Sequence, residues 1–368
     1  MGYIYMRKLL FALLVICAFS CAREVNESIR SREERLLQAR VQTKYLDTLH
    51  KTGSGMYYMI QAKGRGKAVE RESYVYVRSS TLDFFTEDYS WGSGTPSYYY
   101  DYYYGYTSSG TTDTKLLSSD EQVAKQLGNF SHATYYGPHL WFAGWNSLME
   151  GIDEMVLTMR EGDKRRIWLP SWLTSYGLSG STNQYSVTTI HDVEILRVVT
   201  DMEKFQIDSL ESYKNKYYPG LDSLSYGFYK KTLTEGTGDT LKVGNKVSIR
   251  YVKRLLDGFI FDLNIADTAK KYNIFSSSKG YYALVAECME EEKVRSVDED
   301  GNSTTLEAGF SKAIFNMKHG EEAVVFFYSV LGYGVGDGSD NLGKIQPYSP
   351  LVIYIKVERT NFDEDDDE

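Results

Sequence analysis

Residues 309–334 read GFSKAIFNMKHGEEAVVFFYSVLGYG, and residues 151–177 read GIDEMVLTMREGDKRRIWLPSWLTSYG. Each runs glycine, apolar residue, amphipathic turn, Met, a basic residue, Gly two places later, an apolar strand and Tyr-Gly. A separation of about 160 residues marks two copies of one domain, since solenoid repeats recur every 20–50 residues or so. The likeness extends upstream. SGMYYMIQAKGRGKAVERESYVYVR (54–78) and SYGFYKKTLTEGTGDTLKVGNKVSIRY (225–251) share Ser, Gly, an apolar–Tyr pair, a Gly-X-Gly turn and an alternating strand. The period of two in Val75–Val77 and Val247–Tyr251 predicts a sheet with one buried face.

These patterns divide the chain into a leader (1–20), a polar spacer and helix (21–52), a first module (53–200), a helical linker (201–222), a second module (223–360) and an acidic tail (361–368). Leu36, Leu37, Val41, Tyr45 and Leu49 lie near helical spacing and predict a spacer or docking helix, with an apolar stripe too short for a coiled coil. Ile207, Leu210, Tyr213 and Tyr217 predict an amphipathic linker helix that Pro219-Gly220 ends. The first module carries an insertion at 86–114 made mostly of Tyr, Gly, Ser and Thr. It reads as a long surface loop, or as an aromatic contact surface for glycan or peptide.

A net charge of −9 lacks the basic footprint that nucleic-acid binding needs. The acidic run at 363–368 reads as a solvated end. Cys17 lies in the leader and Cys21 directly after it, at the expected lipidation position, so Cys288 is the one thiol left free to react and no disulfide framework is expected. Arg7 and Lys8 precede LLFALLVICAFS (9–20), an apolar run too short for an ordinary transmembrane span. Ala18-Phe19-Ser20-Cys21 resembles the lipobox of bacterial lipoproteins. That resemblance implies cleavage before Cys21 and lipidation on it, with several acyl chains giving stable anchoring. Ala22 after the cysteine leans toward the outer membrane. An ordinary cleaved signal is the alternative.

In the second module Tyr251, Leu255-Leu256-Asp257-Gly258, Phe261-Asp262, Gly309-Phe310, Met317, Gly320, Leu331-Gly332-Tyr333-Gly334 and Ile345–Leu351 follow one another before a closing strand at 352–358. This order and spacing resemble the FKBP-type peptidyl-prolyl cis-trans isomerases. The first module resembles the same family most clearly from 148 to 196, through Leu148-Met149-Glu150-Gly151-Ile152, Met159–Arg165, Leu169-Pro170, Tyr176-Gly177 and Ile190–Leu196. The resemblance implies an α+β fold: two FKBP-like domains, each a twisted antiparallel sheet of five or six strands wrapped on a short helix, with the pocket between sheet and helix.

It also implies the chemistry. Turning an X-Pro amide breaks no bond; the barrier of ~18–20 kcal/mol comes from amide resonance. An apolar pocket that strips water from the amide helps, with a few donors to fix the chain. The family's wall and donor positions fall on Tyr251, Phe261, Asp262, Phe310 and Tyr333, expected as catalytic. Leu306 or Glu307 at the helix entrance, Ile345 and Ile353 are expected to contact substrate, and the insertion near 287–305 to rearrange that wall. In the first module Leu148, Met149, Ile152 and Tyr176 hold the matching binding positions. The strand tyrosine falls on Val77, the Phe-Asp pair near Leu117-Ser118, and the last-strand aromatic on His191, read as a partly exposed sheet histidine. Catalysis is therefore expected in the second module, with the first keeping the fold and little activity.

The partners implied are proline-containing polypeptides or envelope proteins and a membrane, through the lipid anchor. The alternative is a non-catalytic FKBP-like binding lipoprotein for envelope proteins or glycans. No cofactor or metal is expected. His132, His139 and His191 lack partner cysteines, and Asp337 and Asp340 lack the downstream Glu of a calcium loop.

Overall fold

The computed structural model describes residues 28–44, 48–83, 121–126, 130–144, 148–174, 188–297, 302–335 and 345–360. Cys21, Tyr45, the 86–114 insertion, Leu117-Ser118, Tyr176, Asp337, Asp340 and the acidic tail lie outside the described residues. In chain order the elements are α1 (Ile29–Lys44), β1 (Leu49–Lys51), β2 (Tyr57–Ala62), β3 (Tyr74–Asp83), α2 (Glu121–Gln126), β4 (His139–Phe142), α3 (Glu150–Val156), β5 (Lys164–Leu169), β6 (Thr189–Val199), α4 (Met202–Tyr217), β7 (Phe228–Thr234), β8 (Lys246–Leu255), β9 (Ile260–Leu263), α5 (Ala266–Lys271), β10 (Leu284–Glu290), β11 (Lys293–Val297), β12 (Ser303–Thr305), α6 (Ala308–Phe315), β13 (Glu322–Phe327) and β14 (Leu351–Thr360). Among the described residues the strands form two antiparallel sheets. One has six strands in the order β1-β2-β5-β6-β3-β4. The other has eight, β12-β11-β10-β8-β14-β13-β7 with β9 on β8.

The doubled sequence pattern has a packing cause. Gly151 and Gly309 are each the second residue of a short helix, α3 and α6. A Cβ on Gly309 would lie 2.7 Å from the Phe327 ring, and one on Gly151 would lie 2.3 Å from Leu169 Cδ1. Each helix therefore lies directly on its sheet, and only glycine permits the approach. Gly162 (φ 91°) and Gly320 (φ 71°) make the left-handed turns that return each chain to the sheet. The next residue is acidic in both copies and closes the turn. Asp163 accepts from Arg160 N at 3.0 Å, and Glu321 from Lys318 N at 3.0 Å. Met159 and Met317 are buried beside them.

The second sheet is covered on both faces, which is why EAVVFF and LVIYIKV are almost continuously apolar. One face packs Ile249, Val325, Phe327, Ile353 and Ile355 against Phe310, Ala313 and Ile314 of α6. The other face carries Val324, Phe326 and Val352 under Leu210 of α4, and Val252 with Ala269 of α5. The Asp201 side chain caps α4 by accepting from Lys204 N at 2.9 Å, and the helix ends before Pro219 as its sequence requires. The 287–305 insertion does not fill the space between sheet and helix. It pairs as β10, β11 and β12 and extends the sheet past the five or six strands expected, with Val294 buried and its carbonyl accepting from Leu306 N at 3.0 Å.

The helical spacing that runs on to Leu49 misleads. The structure ends α1 at Lys44, and Leu49 pairs with Met59 in the β1–β2 ladder, so the first sheet starts before residue 53. The helix is a docked one. Leu37 and Val41 are buried on Tyr57, Trp168 and Ile190. Glu33 is buried beside them, accepting from Ser171 N (2.8 Å), Ser171 Oγ (2.5 Å) and Thr188 Oγ1 (2.7 Å). The two modules touch directly. Tyr74 and Tyr348 hydroxyls meet at 2.8 Å, Leu140 N donates to Gln346 Oε1 at 3.4 Å, and the Tyr135 and Phe259 rings lie 5.1 Å apart.

Two outcomes are expected from this packing. Gly309→Ala forces a methyl into the Phe327 ring and lowers stability by about 1–3 kcal/mol in chemical denaturation; an unchanged midpoint would contradict the close approach. Glu33→Ala strands three donors, costs about 1–3 kcal/mol, and raises hydrogen exchange of the Leu37 and Val41 amides ahead of the rest of the first module.

Candidate functional site

The site lies on the α6 face of the second sheet. Tyr251 comes from the middle of β8. A turn with Gly258 in left-handed conformation (φ 95°) returns the chain as β9, which sets Asp262 opposite Lys253. Glu307 is the N-cap of α6, in extended conformation (φ −54°, ψ 142°), and Phe310 is the third residue of that helix. Tyr333 follows the one-turn helix Ser329–Leu331, and Ile345 and Ile353 come from the last loop and β14.

These residues converge. Phe261, Phe310, Ile345 and Ile353 are buried in one cluster, with Tyr251, Leu306 and Tyr333 packed on it. Tyr251 and Phe310 rings meet edge-on at 5.6 Å, and Phe261 and Tyr333 at 6.4 Å. The Tyr251 hydroxyl donates to Asp262 Oδ2 at 2.9 Å, and Lys279 Nζ donates to Oδ1 at 2.9 Å.

The sequence reading missed Lys253. It lies two residues after Tyr251, so the strand period puts it on the same inward face, after Val247, Ile249 and Tyr251. A lysine at that place in the alternation was the available signal. Its ammonium is 4.9 Å from the Phe310 ring centroid and 5.3 Å from that of Tyr251. It donates to Glu307 Oε1 at 2.6 Å, and the Tyr333 hydroxyl donates to the same oxygen. Among the described residues Glu307 Oε2 is buried without a hydrogen-bond partner. Phe310 is fully buried (0% exposed) beneath this pair, so the expected floor faces an ion pair and not an open groove.

The charges are set by competition. Burial pushes the Glu307 carboxyl up, but the charge and hydrogen bond of Lys253, with Tyr333, outweigh it and hold the group below its ordinary value. Burial likewise opposes ionisation of Asp262, and Lys279, Lys253 and Tyr251 together hold it low. Burial, then the Asp262 charge, raises the Tyr251 hydroxyl, so it stays protonated and donating. Removing an ion pair from water costs several kcal/mol per ion, offset here by short contact and the aromatic faces under the ammonium.

Among the described residues the first module lacks this chemistry. Met149 is the N-cap of α3 (φ −62°, ψ 142°), matching Glu307, but is exposed; Leu148 is half-buried and Ile152 buried in Phe310's place. His191 holds the place of Ile353, and its strand partner Thr81 that of Lys253. Strand register therefore gives the Tyr251 position to Ser79, two residues before Thr81, and not to Val77, which is a core residue. An irregularity between Tyr76 and Val77 breaks the simple alignment. His191 is buried and not partly exposed as expected, bonded to Thr81 Oγ1 (3.2 Å) and Thr189 Oγ1 (2.8 Å), and burial lowers its pKa to about 4. Cys288 is not a reactive thiol: it is buried in the second core, and burial pushes it up to about 11.

No family model matches the sequence. The chaperone protein HtpG of Halalkalibacterium halodurans is 25% identical over 148 residues, 40% of this chain. The chain spans only 23% of that protein's length. Among solved structures, the three FKBP domains of wheat FKBP73 are similar at 14% identity, covering 84% of this chain and 95% of that one, with a TM-score of 0.27. A peptidyl-prolyl cis-trans isomerase of Pseudomonas syringae is similar at 23% identity, covering 45% and 99%, with a TM-score of 0.29. FkpA of Escherichia coli follows at 19%, covering 44% and 62%, with a TM-score of 0.29. Superposition at this level fixes no residue-to-residue correspondence.

Breaking the pair from one side strands a buried charge. Lys253→Met costs about 3–5 kcal/mol, and Lys253→Met with Glu307→Leu recovers most of it; additive losses in the double-mutant cycle would contradict the pairing. Both carboxyls titrate below their unfolded values, so their ionised forms favour folding above the unfolded pKa. That contribution is lost as pH falls through the folded values. The thermal midpoint should therefore drop below about pH 4, less steeply in Glu307→Gln.

Proposed function

We propose that this chain is a proline-directed folding helper of the FKBP kind, carried on the bacterial cell envelope by a lipid anchor at Cys21. Its two modules are FKBP-like domains spanning about residues 53–200 and 223–360, each wrapped on its short helix. The second takes proline-containing polypeptide; the first serves as scaffold or client-binding copy. The observation that carries this reading is the convergence of Tyr251, Phe261, Asp262, Phe310 and Tyr333, drawn from β8, β9, α6 and the loop after β13, around one aromatic centre.

The same centre favours binding over efficient isomerisation. Catalysis calls for a dry apolar wall and a free hydroxyl donor. Here the wall holds an ammonium and a carboxylate 2.6 Å apart, and the Tyr333 hydroxyl is committed to Glu307. A twisting amide would meet charges that solvate its planar form, and would find no spare donor.

The test is cis–trans exchange in a proline tetrapeptide, with peptide binding measured alongside. The full chain in detergent should bind the peptide and accelerate exchange little, with binding weakened by Phe261→Ala and Tyr333→Phe. Lys253→Val with Glu307→Val restores an apolar wall and should raise the rate at least about tenfold, about 1.4 kcal/mol of barrier. A wild-type rate that falls when the pair is removed would make the pair part of a working isomerase. Neither binding nor acceleration in any variant would remove the proline-directed reading altogether.

A further inference from the structure

The opposite face of the second sheet holds a second site. Between α4, α5 and the sheet lies a cavity of about 270 Å³, floored by Val252, Val324 and Val352 and ringed by Tyr213, Tyr218 and Arg254. Arg254 alternates with Lys253 along β8 and so points away from the Phe310 site. Its guanidinium lies 5.2 Å from the Tyr272 ring centroid. Among the described residues its Nε is buried without a hydrogen-bond partner. The Tyr213 and Tyr218 hydroxyls also have no hydrogen-bond partner among the described residues, while their rings are held at 5.2 and 5.8 Å from Phe326.

Three donors without acceptors thus converge on one cavity. Burial raises both phenols, Tyr213 to about 12, and the Arg254 charge acts back on each. They stay protonated at neutral pH and offer hydrogens. A single guanidinium matches a singly charged anion; a phosphate dianion would ask for a second cation. Lys216 is turned to the adjacent groove, its ammonium 4.8 Å from the Tyr217 ring centroid. That groove, about 610 Å³, shares Tyr213 with the cavity and runs between α4 and the turn at Leu256-Asp257. Cavity and groove together have the form of a pocket for one side chain opening on a trough for the chain that carries it.

We propose that this cavity binds a carboxylate borne on a polypeptide, one Asp or Glu side chain of an extended segment, with Arg254 as the charged donor and Tyr213 and Tyr218 as the neutral ones; the groove beside it carries both signs of charge, Arg197 and Lys216 with Asp208 and Asp257, and so takes the rest of the segment without selecting an acidic one. The site is independent of proline recognition, and would let one client be held on both faces of the module, raising the effective concentration of its proline segment at the other.

The test uses the full chain in detergent and a fluorescent, proline-free hexapeptide with one central Glu, against its Gln counterpart, by anisotropy. The Glu peptide should bind about tenfold tighter or more. Arg254→Lys, which keeps the charge but loses the fork, should weaken it about tenfold, and Tyr213→Phe should weaken it with near-UV circular dichroism unchanged. Phe261→Ala should leave it untouched, which separates failure here from failure of the proline-directed reading. Equal binding of the Glu and Gln peptides, or no loss in a folded Arg254→Lys chain, would overturn the proposal. So would inorganic phosphate displacing the peptide better than acetate, or free acetate binding as tightly as the peptide.

Discussion

Both modules depend on the direct contact of a short helix with the sheet beneath it. At Gly151 and Gly309 the backbone replaces a side chain, and the Leu169 and Phe327 side chains occupy the space a Cβ would need. That contact sets the helix height. The height in turn fixes the N-cap residue and the third helical residue over the sheet, Met149 and Ile152 in one module, Glu307 and Phe310 in the other. The left-handed glycine and the acid that follows it then lock the return to the strand. One geometric constraint therefore carries two different sites, because the residues it positions differ.

The second module uses its sheet twice. One face meets α6 and carries an aromatic centre sealed by a buried ion pair. The other meets α4 and α5 and carries Arg254, which among the described residues has no acid bonded to it. Adjacent residues of one strand, Lys253 and Arg254, serve the two faces, so their charges are kept apart by the sheet itself. The contrast in partners follows from what each face can offer. Lys253 has the α6 N-cap glutamate within reach, whereas Arg254 is bordered by phenols and valines.

Contact between the modules reaches the site. Ile345 lines the aromatic centre, and the next residues in the same loop, Gln346 and Tyr348, bond Leu140 and Tyr74 of the first module. Tyr348 sits at φ 59°, a conformation unfavourable for a bulky residue, held by its neighbours. The first module thus steadies one wall of the second module's site.

The strand alternation, the linker helix and the short helices that open at Gly151 and Gly309 were legible in the sequence, because each is written in local spacing: glycine to methionine to glycine, or every second residue apolar. The resemblance named Tyr251, Phe261, Asp262, Phe310 and Tyr333 in the second module, and the structure brings these five together. Three things were not legible. Leu49 fits a helical period and a strand equally well, and only its pairing with Met59 decides. The 287–305 insertion is polar and was expected to rearrange the pocket wall, yet Val294 finds the flank of α6 and the strands β10, β11 and β12 extend the sheet edge. Lys253 and Glu307 lie far apart in the chain, and their meeting across the pocket depends on how closely α6 approaches β8. Sequence by itself determined which residues repeat and which face of each strand turns inward, since both follow from backbone period and steric allowance. Tertiary structure alone decided that the inward face ends in a sealed ion pair and that the outward one places Arg254 among phenols and valines, because charge pairing depends on distances between segments that no local pattern encodes.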